Sequence, residues 1–295
     1  MAAIQTSNIT LPREVAQGIV TKARDTSTIQ TLSPASPMLF RDVEHILFTK
    51  EPEAEFVEEG GSKSSMDAQF KAIPGGIHKA QVTVRLSNEV QWADEDDQLQ
   101  IVDAITEASA SAVGRALDYG VYHAVNPATG AAVPTMTALT AGATAVTATS
   151  DASADVDSLV DAVAQAYDVT GIALSKAFAS SLRKVRVKNT GARLYPEIPL
   201  NLQVGNLDGI PAATSNTVSG ALASKATNVL AILGDFGLIR WGVIRDMTMD
   251  VITMGDPDGL GDLKRMNQVA YRTEVVYSWA VLDPTGFAVL ETAAA

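Results

Sequence analysis

The chain has 295 residues, which at roughly 150 residues per domain is enough for about two lobes and a sizeable core. Its 22 basic and 34 acidic residues leave a net charge of −12, so it lacks the surplus of Lys and Arg on which nucleic-acid readers depend. A hydrophobic content of 46% argues against disorder, and zero cysteines remove disulfides, thiolate nucleophiles and Cys-held zinc together.

In chain order, Leu11 to Thr26 predicts a short helix, with Pro12 near its start and Val15, Ile19 and Val20 at helical spacing. Alone in water such a helix is marginal, so it needs another surface to lie on. Met38 to Thr49 reads as extended. Glu51 to Lys79 carries Glu51, Glu53, Glu55, Glu58 and Glu59, then Gly60-Gly61 and Pro74-Gly75-Gly76. That pattern predicts a projecting hairpin with too little apolar content for a core of its own. Val82, Val84 and Leu86 alternate with Gln81, Thr83 and Arg85, a half-buried strand. Asp94-Glu95-Asp96-Asp97 then looks like the acidic first turn of one long helix to His123. Its apolar stripe runs through Val102, Ile105, Ala112, Ala116 and Tyr119, and its length is about 45 Å.

Ala128 to Ala154, rich in Ala and Thr, reads as a loose connector. A second lobe follows, with helices over Val156–Val169 and Lys176–Val187 around a strand at Gly171–Leu174. Val229–Leu233 and Leu238–Ile244 are apolar strands, and a strand from Met247 leads back to the first lobe. Val269, Tyr271, Thr273, Val275, Tyr277, Trp279 and Val281 alternate through a long strand. Asp283-Pro284-Thr285-Gly286 turns the chain, and Phe287 to Leu290 closes it.

Chemistry is sparse. The sequence has no G-x-S-x-G, H-E-x-x-H or phosphate-binding G-x-x-x-x-G-K-[ST] pattern. His45, His78 and His123 fall in three different elements and read as surface or interface polar residues. Asp256, Asp258 and Asp262 among Gly255, Gly259 and Gly261 faintly resemble a calcium loop, but Leu260 and the missing Glu favour a plain turn between strands. Arg183, Lys184, Arg186, Lys188 and Arg193 form a dense basic run. Three readings stay open for it: a solvated face suited to a helix end, a nucleic-acid contact without stacking aromatics, or a complement to the acidic hairpin of a neighbouring chain. Arg13, Lys22 and Arg24 are a second candidate complement. No metal or cofactor is expected, no apolar run approaches the roughly 18 residues of a membrane span, and Met1-Ala2-Ala3-Ile4-Gln5 is no signal peptide.

The order of these parts resembles the major capsid proteins of tailed bacteriophages with the Hong Kong 97-type fold. Six segments carry the likeness: Leu11-Pro12-Arg13-Glu14-Val15, Glu55-Phe56-Val57-Glu58-Glu59-Gly60, Val84-Arg85-Leu86-Ser87-Asn88-Glu89, Leu207-Asp208-Gly209-Ile210-Pro211, Ala231-Ile232-Leu233-Gly234-Asp235-Phe236, and Arg272-Thr273-Glu274 with Asp283-Pro284 and Phe287-Ala288. The resemblance implies an α+β fold in named parts. Residues 1–37 would be the N-arm. Residues 38–150 would be the first part of the P-domain, with the E-loop at about 50–79 and the spine helix at about 94–123. Residues 151–246 would be the A-domain and 247–295 the returning P-domain strands.

It further implies a structural, non-enzymatic shell subunit forming hexamers and pentamers around double-stranded DNA, held without sequence specificity. The subunit would assemble in the bacterial host cytoplasm and reside in the virion, with a portal and a decoration protein as further partners. Because the arm begins within a dozen residues of Met1, a separate scaffolding protein, or none, is expected. An encapsulin-type compartment shell and a soluble α/β enzyme are the competing readings. In the family's type member an E-loop lysine is joined to an asparagine of a neighbouring subunit with the help of a glutamate. By resemblance these would be Lys71, Asn267 and Glu274; the competing reading leaves Lys71 solvated, Asn267 after a turn and Glu274 paired with an arginine.

Overall fold

A computed structural model describes residues 25–36, 44–50, 54–57, 59, 61–62, 65, 69–97 and 100–292. The expected helix at 11–24 and the acidic positions Glu51, Glu53 and Glu58 lie outside them, and the described Asp25 and Thr26 are not helical.

The described chain opens with one helical turn, α1 (Ile29–Leu32). A two-stranded hairpin follows, β1 (Glu44–Lys50) against β2 (Gln69–Pro74), antiparallel with a bulge between Phe48 and Lys50. After the Gly75 corner the chain enters β3 (Gly76–Ser87), then α2 (Asn88–Asp97) and α3 (Ile101–Asp118), which runs into a π turn at Tyr119–His123. Beyond it lie α4 (Leu139–Gly142), β4 (Thr144–Thr147), α5 (Ala152–Val163), β5 (Gly171–Leu174) and α6 (Lys176–Lys184). The rest is β6 (Asn206–Leu207), β7 (Ile210–Thr214), β8 (Val229–Gly234), β9 (Ile239–Ile252), β10 (Gln268–Val281) and β11 (Phe287–Glu291).

Two sheets form the body. One is three-stranded, β3-β10-β9, and the other six-stranded, β4-β11-β8-β5-β7-β6. The alternation read over 269–281 becomes the middle strand β10, antiparallel to both neighbours, and every member of that series from Val269 to Trp279 is buried. A strand forms here because β-branched and aromatic side chains at period two line one face of a pleated sheet and are buried there. α3 lies across one face, where the Tyr277 hydroxyl donates to the Val113 carbonyl at 3.3 Å. One continuous core joins α1, α3, both sheets and Trp241. A second core fills the six-stranded sheet beneath α5 and α6. Asp208-Gly209, the landmark read in the sequence, is a two-residue hairpin turn with both φ values positive, the geometry that favours this dipeptide.

Several expectations need correction. The single helix over 94–123 is two helices, broken where Gln100 adopts a left-handed φ of 58°. The acidic run closes α2, and Asp94 reaches across the break to accept from the Ile101 and Val102 amides at 2.7 and 3.2 Å. The buried stripe of α3 is rotated by one position, through Val113 and Leu117, because the larger side chains turn inward and Ala112 and Ala116 sit at its margin. The 128–154 connector contributes α4 and the edge strand β4. The strands read at Leu238–Ile244 and from Met247 are one strand, β9. Phe287–Leu290 returns to the six-stranded sheet, between β4 and β8, where its apolar side chains are buried from both faces. The two helices of the second lobe are shorter than expected, ending at Val163 and Lys184.

Residues 25–36, the end of the expected N-arm, are built into the body of the same chain. Ile29 is fully buried, the Trp241 indole donates to the Ser33 carbonyl at 3.0 Å, and Ser33 Oγ donates to the Ile239 carbonyl at 2.9 Å. Among the described residues no helix is long and apolar enough to cross a membrane.

Candidate inter-subunit surfaces

The β1–β2 hairpin buries little of itself. Ile46, Phe70 and, further along, Phe56 are exposed, as are Glu55 and Glu59. Two strands without a covering layer are marginal in water, and exposed aromatic side chains on a projecting element mark a contact surface. Lys71 sits on the exposed β2, opposite Leu47 in the ladder.

The basic run is brought together. α6 ends at Lys184, and the next residues form a small exposed hairpin in which Arg186 pairs directly with Arg193. Like charges opposite one another in a ladder are unfavourable. Among the described residues none of Arg183, Lys184, Arg186, Lys188 or Arg193 forms an ion pair within 4.0 Å. Hydrogen bonds from Ser153 hold the Asp151 carboxyl below its ordinary range, and Lys188 adds a smaller push in the same direction.

The remaining trio is not assembled within the chain. Asn267 is a turn residue with a left-handed φ of 55° just before β10, and Glu274 lies seven residues on, within the strand. The Asn267 amide donates to Glu89 Oε1 at 2.5 Å and its carbonyl accepts from Asn88 Nδ2 at 2.8 Å, which fastens the start of α2 to the start of β10. Glu274 pairs with Lys79 at 2.7 Å, on the neighbouring strand, and lies 4.0 Å from Arg272 on its own. The three histidines stay apart: His78 packs against the Trp279 ring at 4.2 Å, His123 Nε2 lies 3.1 Å from the Val218 carbonyl, and His45 lies on β1. Burial pushes all three imidazoles down in pKa.

Two polar centres were not visible in the sequence. Asp118, with no exposed surface, accepts from Ser27 Oγ at 2.5 Å, the Thr28 amide at 2.8 Å, Thr28 Oγ1 at 3.0 Å, the Ile29 amide at 3.3 Å and Thr217 Oγ1 at 2.5 Å. It ties the 25–33 segment to the end of α3. The only local signal was a carboxylate beside the buried face of an apolar helix. Arg85, expected on the polar side of β3, is buried and holds Asp256 and Asp258 of the turn read between two strands. That turn is confirmed as the β9–β10 connection, and among the described residues no cluster of His, Asp and Glu could hold a metal.

A groove of about 610 Å³ runs between β3, α3 and the 125–136 segment, floored by Tyr277, Trp279 and Met136. Gly120 lines it, and a Cβ there would stand 2.7 Å from the Trp279 ring, so the π turn approaches β10 only with glycine.

Exposed hairpins, basic side chains and an apolar groove can bind another macromolecule. The comparisons agree. The description "Phage capsid family" matches residues 7–292. A chain of Mycobacterium phage Ogopogo superposes with a TM-score of 0.84 at 35% identity, covering 99% of this chain and all of its own. A chain of Gordonia phage Cozz gives 0.82 at 30% identity, covering 98% and 94%. A capsid chain of an empty GTA particle shares the fold, with a TM-score of 0.65 at 16% identity and 96% of each chain covered. No curated protein sequence matches. The Ogopogo and Cozz relatives both come from phages, and the compartment-shell reading is not better supported. The chain belongs to the phage capsid family and is a major capsid protein, a subunit that self-assembles into the icosahedral shell of a virion.

Proposed function

We propose that copies of this chain close into pentamers and hexamers around double-stranded DNA, turning over no substrate and needing no cofactor. The observation that carries this is the family match along 7–292 together with the exposed hairpin, which has too little core to stand alone. In this reading residues 1–37 form the N-arm, whose described part 25–36 lies in the body, about 50–79 reach a neighbouring copy, and about 94–123 form the spine, broken at Gln100. Residues 38–150 and 247–295 make the peripheral lobe, and 151–246 make the axial lobe, to whose sheet β11 is added. Glu51, Glu53, Glu55, Glu58 and Glu59 meet cations of an adjacent copy, the Arg183–Arg193 hairpin or Arg13, Lys22 and Arg24. Each exposed pair contributes about 0–1 kcal/mol, so the gain is in register and rate. Assembly takes place in the host cytoplasm, with a portal, a separate scaffolding protein and a decoration protein as further partners.

Co-expression with neighbouring phage genes, followed by electron microscopy and sedimentation, tests the reading. Closed shells are expected; a chain that sediments only as a monomer would overturn it. The finer proposal is an isopeptide bond between copies, in which neutral Lys71 Nζ attacks Asn267 Cγ, Glu274 takes the amine proton and passes it to the departing nitrogen, and the Cγ–Nδ2 bond breaks to release ammonia. It requires Asn267 to leave Glu89 and Asn88. A ladder of multimers on denaturing electrophoresis that collapses in Lys71→Ala supports it, and a single monomer band ends it.

A further inference from the structure

Beside the second core a cavity of about 350 Å³ opens between α5, β5, β8 and the β6–β7 turn. Its floor is apolar: Ile172, Leu207 and Leu233 are buried there, and Val160 and Ile210 are half-buried at its sides. Its rim is acidic, with Asp157 and Asp161 from α5 and Asp208 from the turn, all three exposed. Among the described residues none of the three forms an ion pair within 4.0 Å. Asp157 and Asp161 stand one turn apart on α5, where like charges repel. Asp161 also lies in the last turn, at the negative end of the helix dipole. Neither placement helps the helix, and a cation relieves both. Tyr195 lines the same cavity and is only 9% exposed, yet among the described residues its hydroxyl has no hydrogen-bond partner. Burial, and then the charges of Asp157 and Asp208, push its pKa up, so it stays a neutral hydroxyl in the field of both acidic walls. A buried hydroxyl left unpaired costs free energy until a partner reaches it.

Apolar walls with a few convergent polar groups are the usual makings of a small-molecule site, and the volume falls in the range of roughly 300–1,000 Å³ that such sites occupy. Acids on two walls with an aliphatic floor between them suit a ligand that is cationic at both ends and apolar in the middle. A hydrated metal ion gains nothing from the floor, and among the described residues no cluster of His, Asp and Glu could hold one. A lysine or arginine side chain brings a single charge. We propose that this cavity binds a small aliphatic diamine or polyamine. Its methylenes lie on Val160, Leu207 and Ile210, its ammonium groups meet Asp157 and Asp161 on one wall and Asp208 on the other, and Tyr195 Oη accepts from one of them. The inference goes beyond the shell reading and does not depend on it.

Calorimetric titration of the purified chain, as free subunit and as shell, with putrescine and spermidine tests the proposal. Both amines should bind saturably at physiological ionic strength. Butanediol, which lacks the charge, and magnesium chloride, which lacks the methylenes, should not displace them. Asp157→Asn combined with Asp161→Asn should weaken binding by about tenfold or more, because the ammonium loses its charged partners on one wall. The unfolding midpoint should not fall, since these exposed acids hold no other group of the fold. Tyr195→Phe should weaken binding about threefold, the loss of one hydrogen bond. No saturable binding by either state of the chain would overturn the proposal, as would unchanged affinity in the doubly substituted chain or displacement by magnesium. So would binding by the free subunit that vanishes in shells, which would make a side chain of a neighbouring copy the occupant. Electron microscopy of the same preparations scores the shells separately, so a chain that closes shells but takes up no amine rejects this inference alone.

Discussion

Asp118 is a carboxylate with five hydrogen-bond donors and, among the described residues, no ion pair. Removing it in Asp118→Ala strands the Ser27 and Thr217 hydroxyls and two amides in the core, while the Thr28 hydroxyl keeps Tyr122, at a cost of about 3–5 kcal/mol. Asp118→Asn should cost about 1–2 kcal/mol, because the hydroxyls can rotate to accept. Denaturant unfolding at neutral pH distinguishes the two, and equal losses would count against the network. Burial raises the Asp118 pKa against the pull of those donors. Its contribution is therefore greatest below its unfolded value and is lost as pH rises through the folded one. Burial lowers His123 from its ordinary 6.5, against smaller contributions from the Thr217 and Val218 carbonyls. That contribution is present above 6.5 and is lost as pH falls through the lower folded value. Between pH 7 and pH 5, His123→Asn should therefore lose less stability than wild type. Parallel curves would show that folding leaves the His123 pKa unshifted. Neither residue was legible in the sequence, because Ser27 and Asp118 are 91 positions apart and nothing local announces their meeting.

Among the elements, the broken helix shows how a correct local rule can be misplaced. Carboxylates do stabilise a helix N-terminus here, but the one that does so, Asp94, belongs to the preceding helix. Periodicity reads through the break because Gln98-Leu99-Gln100 are ordinary helix formers. Asp94→Ala should destabilise the subunit by about 1 kcal/mol and Asp94→Asn by less, since asparagine also caps. Thermal unfolding of the pair checks it, and identical midpoints for wild type and Asp94→Ala would refute the cap. By contrast β3, β5 and β10 were legible, since alternation or a short apolar run bounded by turn residues is a local property.

For the whole molecule, what is arm and what is body changes an expectation about exchange. Residues 25–36 should be protected from hydrogen exchange in the free subunit and in the shell alike, because their partners, Asp118 and Trp241, lie in the same chain. The β1–β2 hairpin should be protected in the shell alone, and equal protection in both states would mean that it needs no neighbour. Composition and alternation determined by themselves the long strand over 269–281 and a hairpin with little core, which follow from local chemistry, and the order of segments carried the resemblance to the capsid family. Tertiary structure alone decided that β11 joins the six-stranded sheet, that Arg85 faces inward to Asp258 173 positions away, and that the chain after residue 24 is core. The reason is physical: local periodicity tells which face of a strand is buried, whereas the partner that buries it is set by contacts whose sequence separation no local pattern encodes.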